Sequence, residues 1–298
     1  SLYNFLPESE DASGDTLNFI VTNKPDWANF NTATGLLSGT PDNNDVGITK
    51  GIVISVSDGI STVNLDSFDL EVNNTNDHPV IISDSTAASG SIFEDAVLNT
   101  VSGLLMASDV DTGDNLTFSV ENPTGTYGSL AITEAGGWVY TLDNNDIDTN
   151  ALAQGMTETD IIEVTVTDIQ GATASENVVV NIKGSNDEPI ITSAEIDALG
   201  AVTEDAVTTT ATGTLIASDV DTGDGLTFSV ANPTGTYGAL AIEGATGVWT
   251  YTLANGNAMT DALIEGAMVT DSIPVTVTDN QGVSTSKAVV VTITGVND

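Results

Sequence analysis

Apolar and polar residues alternate through most of this chain. Leu116, Phe118 and Val120 interleave with Thr117 and Ser119; Ile162, Val164 and Val166 interleave with Glu163, Thr165 and Thr167; Val178, Val180 and Ile182 form a further set. Successive side chains of a strand point to opposite faces, so a period of two predicts strands with one buried and one wet face. The runs are short, rich in Val, Ile and Thr, and bounded by Gly, Asn and Asp clusters that turn the chain back. One helical turn is expected, over Thr149–Gly155; the rest reads as strand and turn.

The alternation is organised in repeats. Glu94-Asp95-Ala96-Val97 returns as Glu204-Asp205-Ala206-Val207, Asn122-Pro-Thr-Gly-Thr-Tyr-Gly128 as Asn232-Pro-Thr-Gly-Thr-Tyr-Gly238, and Val164-Thr-Val-Thr-Asp168 as Val275-Thr-Val-Thr-Asp279, in nearly constant register. A third mark punctuates the chain: Asn76-Asp77-His78-Pro79, Asn186-Asp187-Glu188-Pro189 and the terminal Asn297-Asp298. Proline lacks a backbone donor and fixes φ, so it closes one strand run before the next begins. Domains are therefore expected at 1–78, 79–188 and 189–298, joined by short links that are not flexible Gly/Ser tethers. About seven strands in roughly 100 residues is the pattern of an Ig-like sandwich. The expected fold is all-β: three tandem Ig-like, antiparallel Greek-key β-sandwiches. The opening Ser1-Leu-Tyr-Asn-Phe-Leu6 reads as a strand inside a domain, so the chain reads as an excerpt.

Charge changes the picture most. The 298 residues hold 43 Asp and Glu against 4 Lys and Arg, a formal net charge of −39, with no cysteine and one histidine. Four basic residues make no nucleic-acid footprint and disfavour docking on anionic lipid. No apolar run approaches the length of a membrane span, so direct membrane insertion is not expected. A chain that is 40% hydrophobic can still bury cores. Disulfides are excluded as staples, and so are zinc sites and nucleophile–base triads that need Cys or several His. Paired carboxylates could imitate a glycosidase, but the best pairs are duplicated between repeats, as structural sites would be. The chain is not expected to be an enzyme.

The heptapeptide Ser108-Asp-Val-Asp-Thr-Gly-Asp114, repeated at Ser218–Asp224, concentrates that charge. Two unit charges about 4 Å apart repel by about 4 kcal/mol at an effective dielectric of ~20. Such a cluster opposes folding unless its members splay into water or surround a cation. Read as extended chain, Asp109 and Asp111 project to one side while Val110 faces the core. Asp168 ends a strand at the same pole, and the link Asn76-Asp77 enters there, so oxygens come from three separate stretches. Calcium, a hard cation taking 6–8 oxygens at about 2.3–2.6 Å, suits such a set. An EF-hand does not: Gly113 stands at the fifth loop position where the sixth is needed, and Val120 at the twelfth, where a Glu belongs.

Ala107-Ser-Asp-Val-Asp-Thr-Gly-Asp-Asn-Leu-Thr-Phe118 resembles the Asp-x-Asp motif of cadherin domains, Val166-Thr-Asp-Ile-Gln-Gly171 their strand-end Asp, and Asn186-Asp187 their inter-domain linker. The second and third domains are similar to the VCBS repeats of large bacterial RTX-type surface adhesins. Lys24-Pro-Asp-Trp-Ala-Asn-Phe30, Thr34-Gly-Leu-Leu-Ser-Gly-Thr-Pro41 and Asp45-Val-Gly47 resemble the dystroglycan-type cadherin-like domain of the same adhesins. The resemblance implies Ca2+ shared at domain junctions. Carried onto matching positions, the second junction would use Glu94, Asn186, Asp187, Asp219, Asp221 and Asp279; the first would use Asn76, Asp77, Asp109, Asp111 and Asp168, with Asp45 as a further candidate. Glu204, Asn297 and Asp298 would form half of another site. The family linker begins with an extra Asp, where this chain has Asn74 and Gly184, and the first domain lacks an equivalent of Glu94. Fewer ions per junction, and weaker binding at the first, are therefore expected.

The reading that follows is a calcium-rigidified extender segment of a secreted or cell-surface bacterial adhesin, serving cell adhesion or biofilm formation. Its partners would be neighbouring domains of the same long chain, with a glycan or protein receptor gripped by other domains. Two alternatives stand beside it. The first domain could bind a glycan or peptide through Trp27, or the chain could be a subunit of a self-assembling extracellular fibre. Trp138 and Trp249, in matching strand contexts, are expected in cores, and Tyr127 and Tyr237 on exposed loops.

Overall fold

The computed structural model describes residues 1–12 and 14–297. Strands account for its regular structure almost entirely, and three hydrophobic cores follow one another along the chain. The middle core lies between two sheets. One runs in the order Thr117–Ser119, Thr157–Thr167, Thr173–Lys183, Ser89–Phe93; the other runs Thr100–Leu104, Gly137–Leu142, Gly128–Ile132. A two-stranded ladder, Val80–Ile81 with Ala107–Ser108, closes one end. The third core repeats this order strand for strand, with Met268–Thr278 and Ser284–Thr294 as its long pair. The all-β sandwich expected from the alternation is the fold found. Ile162, Val164, Val166, Val178, Val180 and Ile182 are all buried, as their period requires.

The first core is smaller. Tyr3–Phe5, Leu37–Gly39 and Asn29–Phe30 form one sheet; Asn18–Thr22, Thr62–Asn64 and Phe68–Val72 all pair with Gly47–Ser57 in the other. Trp138 and Trp249 are fully buried, and each indole N–H donates to a carbonyl, of Ala87 at 2.8 Å and Asp197 at 2.9 Å. Trp27 is half-buried, edge-to-face with Tyr3 at 5.9 Å.

Four expectations need correction. The sheets are not wholly antiparallel: Ser89–Phe93 lies parallel to Val179–Lys183, and Leu199–Thr203 parallel to Val290–Thr294. The chain enters each unit through Val80–Ile81 or Ile190–Ile191, paired with Ala107–Ser108 or Ala217–Ser218, and then crosses to run beside the last strand in the same direction. Thr149–Gly155 is a series of turns, with Leu152 N–H donating to Thr149 O at 3.1 Å, and the short helical pieces are 3-10 turns at Asn43–Asp45 and Glu195–Ala198. Val110 is 64% exposed rather than core-facing. Finally, Tyr127 and Tyr237 are half-buried against the second and third cores, not exposed.

The Asn-Pro-Thr-Gly-Thr-Tyr-Gly loops have a structural role. Asp160 is buried on the inward face of its strand, where an unpaired charge would be costly. The loop wraps it: Thr126 N–H and Tyr127 N–H donate at 2.8 and 3.1 Å, and Tyr140 O–H at 2.6 Å. Asp271 is held likewise by Thr236, Tyr237, Gly238 and Tyr251. Any Cβ at Gly125 or Gly235 would meet that carboxylate, so the loop closes only with glycine there.

Candidate metal centre

Strand direction places the acidic groups. Because Ser89–Phe93 runs parallel to the last strand of its unit, Glu94 and the link leave together at one pole. Glu94 N–H donates to Lys183 O at 3.0 Å, and Glu94 Oε1 accepts from Ser185 N–H at 2.6 Å. The next unit enters from that link through Ile190–Ile191, whose partner Ala217–Ser218 delivers the Asp219 turn to the same place. Met268–Thr278 runs toward this entry pole and ends at Asp279.

The sequence-predicted residues of the second link therefore converge. Asn186 Nδ2 donates to Asp279 Oδ2 at 2.8 Å, Asp187 N–H to Asp221 Oδ2 at 2.9 Å, and Asp221 N–H to Asp219 Oδ1 at 3.0 Å. Thr222 N–H reaches back to Ala151 O at 3.1 Å, tying the two units together. The first link repeats the pattern. Asn76 Nδ2 donates to Asp168 Oδ2 at 2.9 Å, Asp77 N–H to Asp111 Oδ2 at 2.8 Å, and Asp111 N–H to Asp109 Oδ1 at 2.9 Å. The Asp109–Asp111 pair is thus an Asx turn following a two-residue strand, not an extended segment; a short carboxylate captures the N–H two residues on.

Four contributing residues were not singled out in the sequence. Asp114 and Asp224, the last letters of the heptapeptides, fold back across a turn in which Gly113 and Gly223 have φ of +93° and +89°. Carboxylate oxygens of Asp109, Asp111 and Asp114 lie within 4.8 Å of one another, as do those of Asp219, Asp224 and Asp279. Asp95, at φ +55°, turns its charge toward Asp187 and Glu94. Asn43 reaches Asp77 Oδ2 at 2.6 Å. The third aspartate of each heptapeptide was visible as a repeated acid; Asn43 carried no sequence signal. Asp45 Oδ2 accepts from Asp42 N–H at 2.9 Å, in the capping box of the 3-10 turn that carries Asn43. At the far end Glu204, buried like Glu94, accepts from Val296 N–H. Asn297 follows in the same stretch, and Asp298 lies outside the described residues.

The electrostatics are those of crowded anions. Burial pushes the Glu94 carboxyl up to about 7, helped by Asp187, Asp95 and Asp221 and opposed by the Ser185 N–H. Burial likewise raises Asp187 to about 6, with Asp95, Asp221 and Asp219 adding to it, and raises Asp221 and Asp114. For Asp168 and Asp279 burial is outweighed by N–H donors from Asn76 or Asn186 and the following loop, so both sit below the usual carboxylate range. Three of the four lysines are engaged elsewhere: Lys24 with Ala28 O, Lys183 over the Phe93 ring, Lys287 with Ser193 O and Glu195.

The donor set fits a divalent cation on one specific count. At the second link, buried oxygens of Glu94 (Oε2), Asn186 (Oδ1), Asp187 (Oδ2), Asp219 (Oδ2), Asp221 (Oδ1) and Asp224 (Oδ2) have no hydrogen-bond partner. At the first, the same holds for Asn76 Oδ1, Asp109 Oδ2 and Asp114 Oδ2. A buried acceptor without a partner costs about 1–3 kcal/mol, and more if charged. Oxygen-only donors of this kind suit a hard ion that takes 6–8 ligands. Gly184 explains the missing linker Asp: a Cβ there would meet the carbonyl oxygens of Leu152 and Ala153.

The described residues contain no helix long and apolar enough to cross a membrane. No curated protein matches the chain. Among solved structures, it is similar to protocadherin gamma B4 extracellular domain (20% identity, TM-score 0.53, 95% of this chain and 44% of that one). It is also similar to protocadherin gamma B2 extracellular cadherin domains 1–5 (15%, 0.57, 95% and 53%) and mouse cadherin-23 EC22–24 (16%, 0.55, 98% and 90%). The chain spans about half the length of the two protocadherin structures. At these identities the likeness is one of fold. The model of the bacterial cadherin-like domain family matches residues 76–184 and again 186–295, well over half of the sequence. The chain belongs to the bacterial cadherin-like domain family.

Proposed function

We propose that the chain is a calcium-stiffened spacer segment of a secreted or cell-surface bacterial adhesin of the VCBS-containing, RTX type, which holds a distant adhesive domain away from the cell. The observation that carries this reading is the set of unpartnered buried oxygens at two successive links, in a chain with almost no positive charge to neutralise them. We divide the chain at 78/79 and 188/189, since each link's Asn-Asp pair bonds forward into the unit that follows it.

At the second link Glu94, Asn186, Asp187, Asp219, Asp221 and Asp279, with Asp224, would hold calcium; at the first, Asn76, Asp77, Asp109, Asp111, Asp168 and Asp114. Glu204, Asn297 and Asp298 would serve the unit beyond. Bound calcium supplies positive charge that cancels repulsion among these carboxylates. The chain's own residues orient the oxygens: the link N–H groups hold Asp111 and Asp221, and Asn76 and Asn186 hold the strand-end acids. With the charge cancelled, neighbouring sandwiches are locked into a rod; without it, the links repel and bend. A ligand bound only by the folded state stabilises it by RT ln(1 + [L]/Kd), about 1.5–3 kcal/mol per site at about 10 mM calcium and a Kd of roughly 10⁻⁴–10⁻³ M.

Thermal unfolding and solution scattering, with calcium and then with EDTA, test the proposal. A high melting temperature and an elongated particle should both be lost on chelation. A chain equally stable and equally long in EDTA would end it. A second reading, glycan binding by the first unit, draws on one cavity of about 520 Å³ beside the first link, lined by Trp27, Tyr3, Asn43, Glu71 and Asp77. A glycan array probed with calcium present separates it from the spacer.

A further inference from the structure

The two links are built alike and finished differently. At the second, Glu94 and Asp221 are only 2% and 4% exposed, yet Glu94 Oε2 and Asp221 Oδ1 have no partner, and neither has Asp187 Oδ2. The first link has no counterpart of Glu94, and its counterparts of Asp187 and Asp221 are satisfied. Asp77 Oδ2 accepts from Asn43 Nδ2 at 2.6 Å, and Asp111 Oδ1 faces the same nitrogen at 3.4 Å. The two aspartate oxygens that one amide group bridges at the first link correspond to Asp187 Oδ2 and Asp221 Oδ1, left open at the second.

Asn43 is held in that position. It begins a 3-10 turn whose capping box is closed at both ends, Asp42 Oδ1 accepting from Asn44 N–H at 2.8 Å and Asp45 Oδ2 from Asp42 N–H at 2.9 Å. The turn sits at the exit pole because Gly47 pairs with Val72, the end of the strand that leads into the link. An amide has one donating end, and two carboxylate oxygens accept only from that end.

We propose that the side-chain amide of Asn43 stands in for a cation, so that the first link binds one calcium fewer than the second. The inner positions, Asp109 with Asp114 and Asp219 with Asp224, are common to both links. The outer position, between Glu94, Asp187 and Asp221, takes an ion at the second link only. The first link is then closed in part by a hydrogen-bonded latch that needs no metal, and in low calcium the chain bends first at residues 184–188. This inference rests on the calcium-binding reading above.

Calorimetric titration of the full chain with calcium, on wild type and three variants, tests it. Glu94→Gln, which keeps the acceptor for Ser185 N–H, should lose one bound ion. Asn43→Asp should gain one, because it turns a donor into a ligand beside Asp77 and Asp111. Asn43→Ala should leave the count unchanged and lower the melting temperature in calcium-free buffer. In nitrogen–proton correlation spectra the Asn43 side-chain NH2 should keep its shifts when calcium is added. If wild type binds no calcium, the spacer reading itself fails. If wild type binds calcium but Asn43→Asp leaves the count unchanged, or the Asn43 amide signals move to those of a solvated group, the amide is not a substitute and the inference is overturned.

Discussion

Replacing Glu94 by Gln should make the calcium-free protein more stable at high pH and the calcium-loaded protein less stable. The first half follows from burial. The Glu94 carboxyl is raised from 4.5 to about 7, so the folded state binds its proton more tightly than the unfolded chain does. The sign is then fixed: the stability linked to this proton is fully present below about 4.5 and is lost as pH rises through about 7. A shift of about 2.5 units at ~1.36 kcal/mol per unit is about 3 kcal/mol. Gln is a neutral stand-in for the protonated acid and still accepts from Ser185 N–H, a 2.6 Å bond in the wild type. Wild type and variant should therefore match near pH 4.5 in buffer stripped of divalent ions. By pH 8 the variant should be ahead by up to about 3 kcal/mol. Shifts at Asp168 and Asp279, which act in the opposite direction as pH falls, are common to both proteins and cancel in the difference. Urea unfolding at half-unit pH steps reads the difference directly. With millimolar calcium the order should invert, since on the calcium-binding reading proposed above the variant gives up a ligand. Parallel curves for the two proteins from pH 4.5 to 8 without metal would refute the argument, because they would mean that Glu94 is solvated rather than buried among acids.

Other outcomes follow from single contacts. Asp219→Ala should weaken calcium binding at the second link and leave the first unchanged, read by calorimetry as loss of one class of sites. Asp160→Ala removes the acceptor of Tyr140 O–H and of two loop N–H groups; at about 1.5–3 kcal/mol for a hydrogen bond to a charged group, it should cost at least that much stability and release hydrogen-exchange protection at Thr126 and Tyr127. Gly184→Ala should destabilise by about 1–3 kcal/mol through overpacking against Leu152 and Ala153, measured as a lower urea midpoint.

The fold was legible because it is repetitive and periodic: Val178, Val180 and Ile182 specify a buried face without reference to anything distant. What the alternation did not reveal is where a strand goes after its run ends. The parallel edge of Ser89–Phe93 depends on a crossover through turns at Asp84–Ala87, and nothing in the strand's own letters sets its direction. Asp160 could have been found. It shares a face with Ile162 and Val164, and a charge on the core face needs a partner; the repeated Asn-Pro-Thr-Gly-Thr-Tyr-Gly loop is that partner.

The site divides in the same way. Residues brought together by strand ends, such as Asp168 with Asn76, follow from topology once the sandwich is drawn. Residues placed by local turns do not. The Asp109-Val-Asp111 spacing predicts two carboxylates on one side of an extended strand; the structure brings them close by a turn instead. Asp109 folds onto the Asp111 N–H, which frees Val110 to face solvent and turns Asp111 inward to meet the link. The same capture of a neighbouring N–H occurs at Asp219 with Asp221. One oxygen of Asp109 and one of Asp219 are thus committed to backbone, and the other is left facing the cluster without a partner. This arrangement keeps an acid in place whether or not its charge is neutralised: rigidity comes from the backbone bond, and the second oxygen stays available. A spacer whose ligands were held only by a bound ion would lose both ion and ligand geometry on chelation and would have to rebuild both. On the spacer reading proposed above, the Asp-x-Asp turns should persist without metal, so that re-adding calcium restores the link geometry at the speed of ion entry rather than of loop folding.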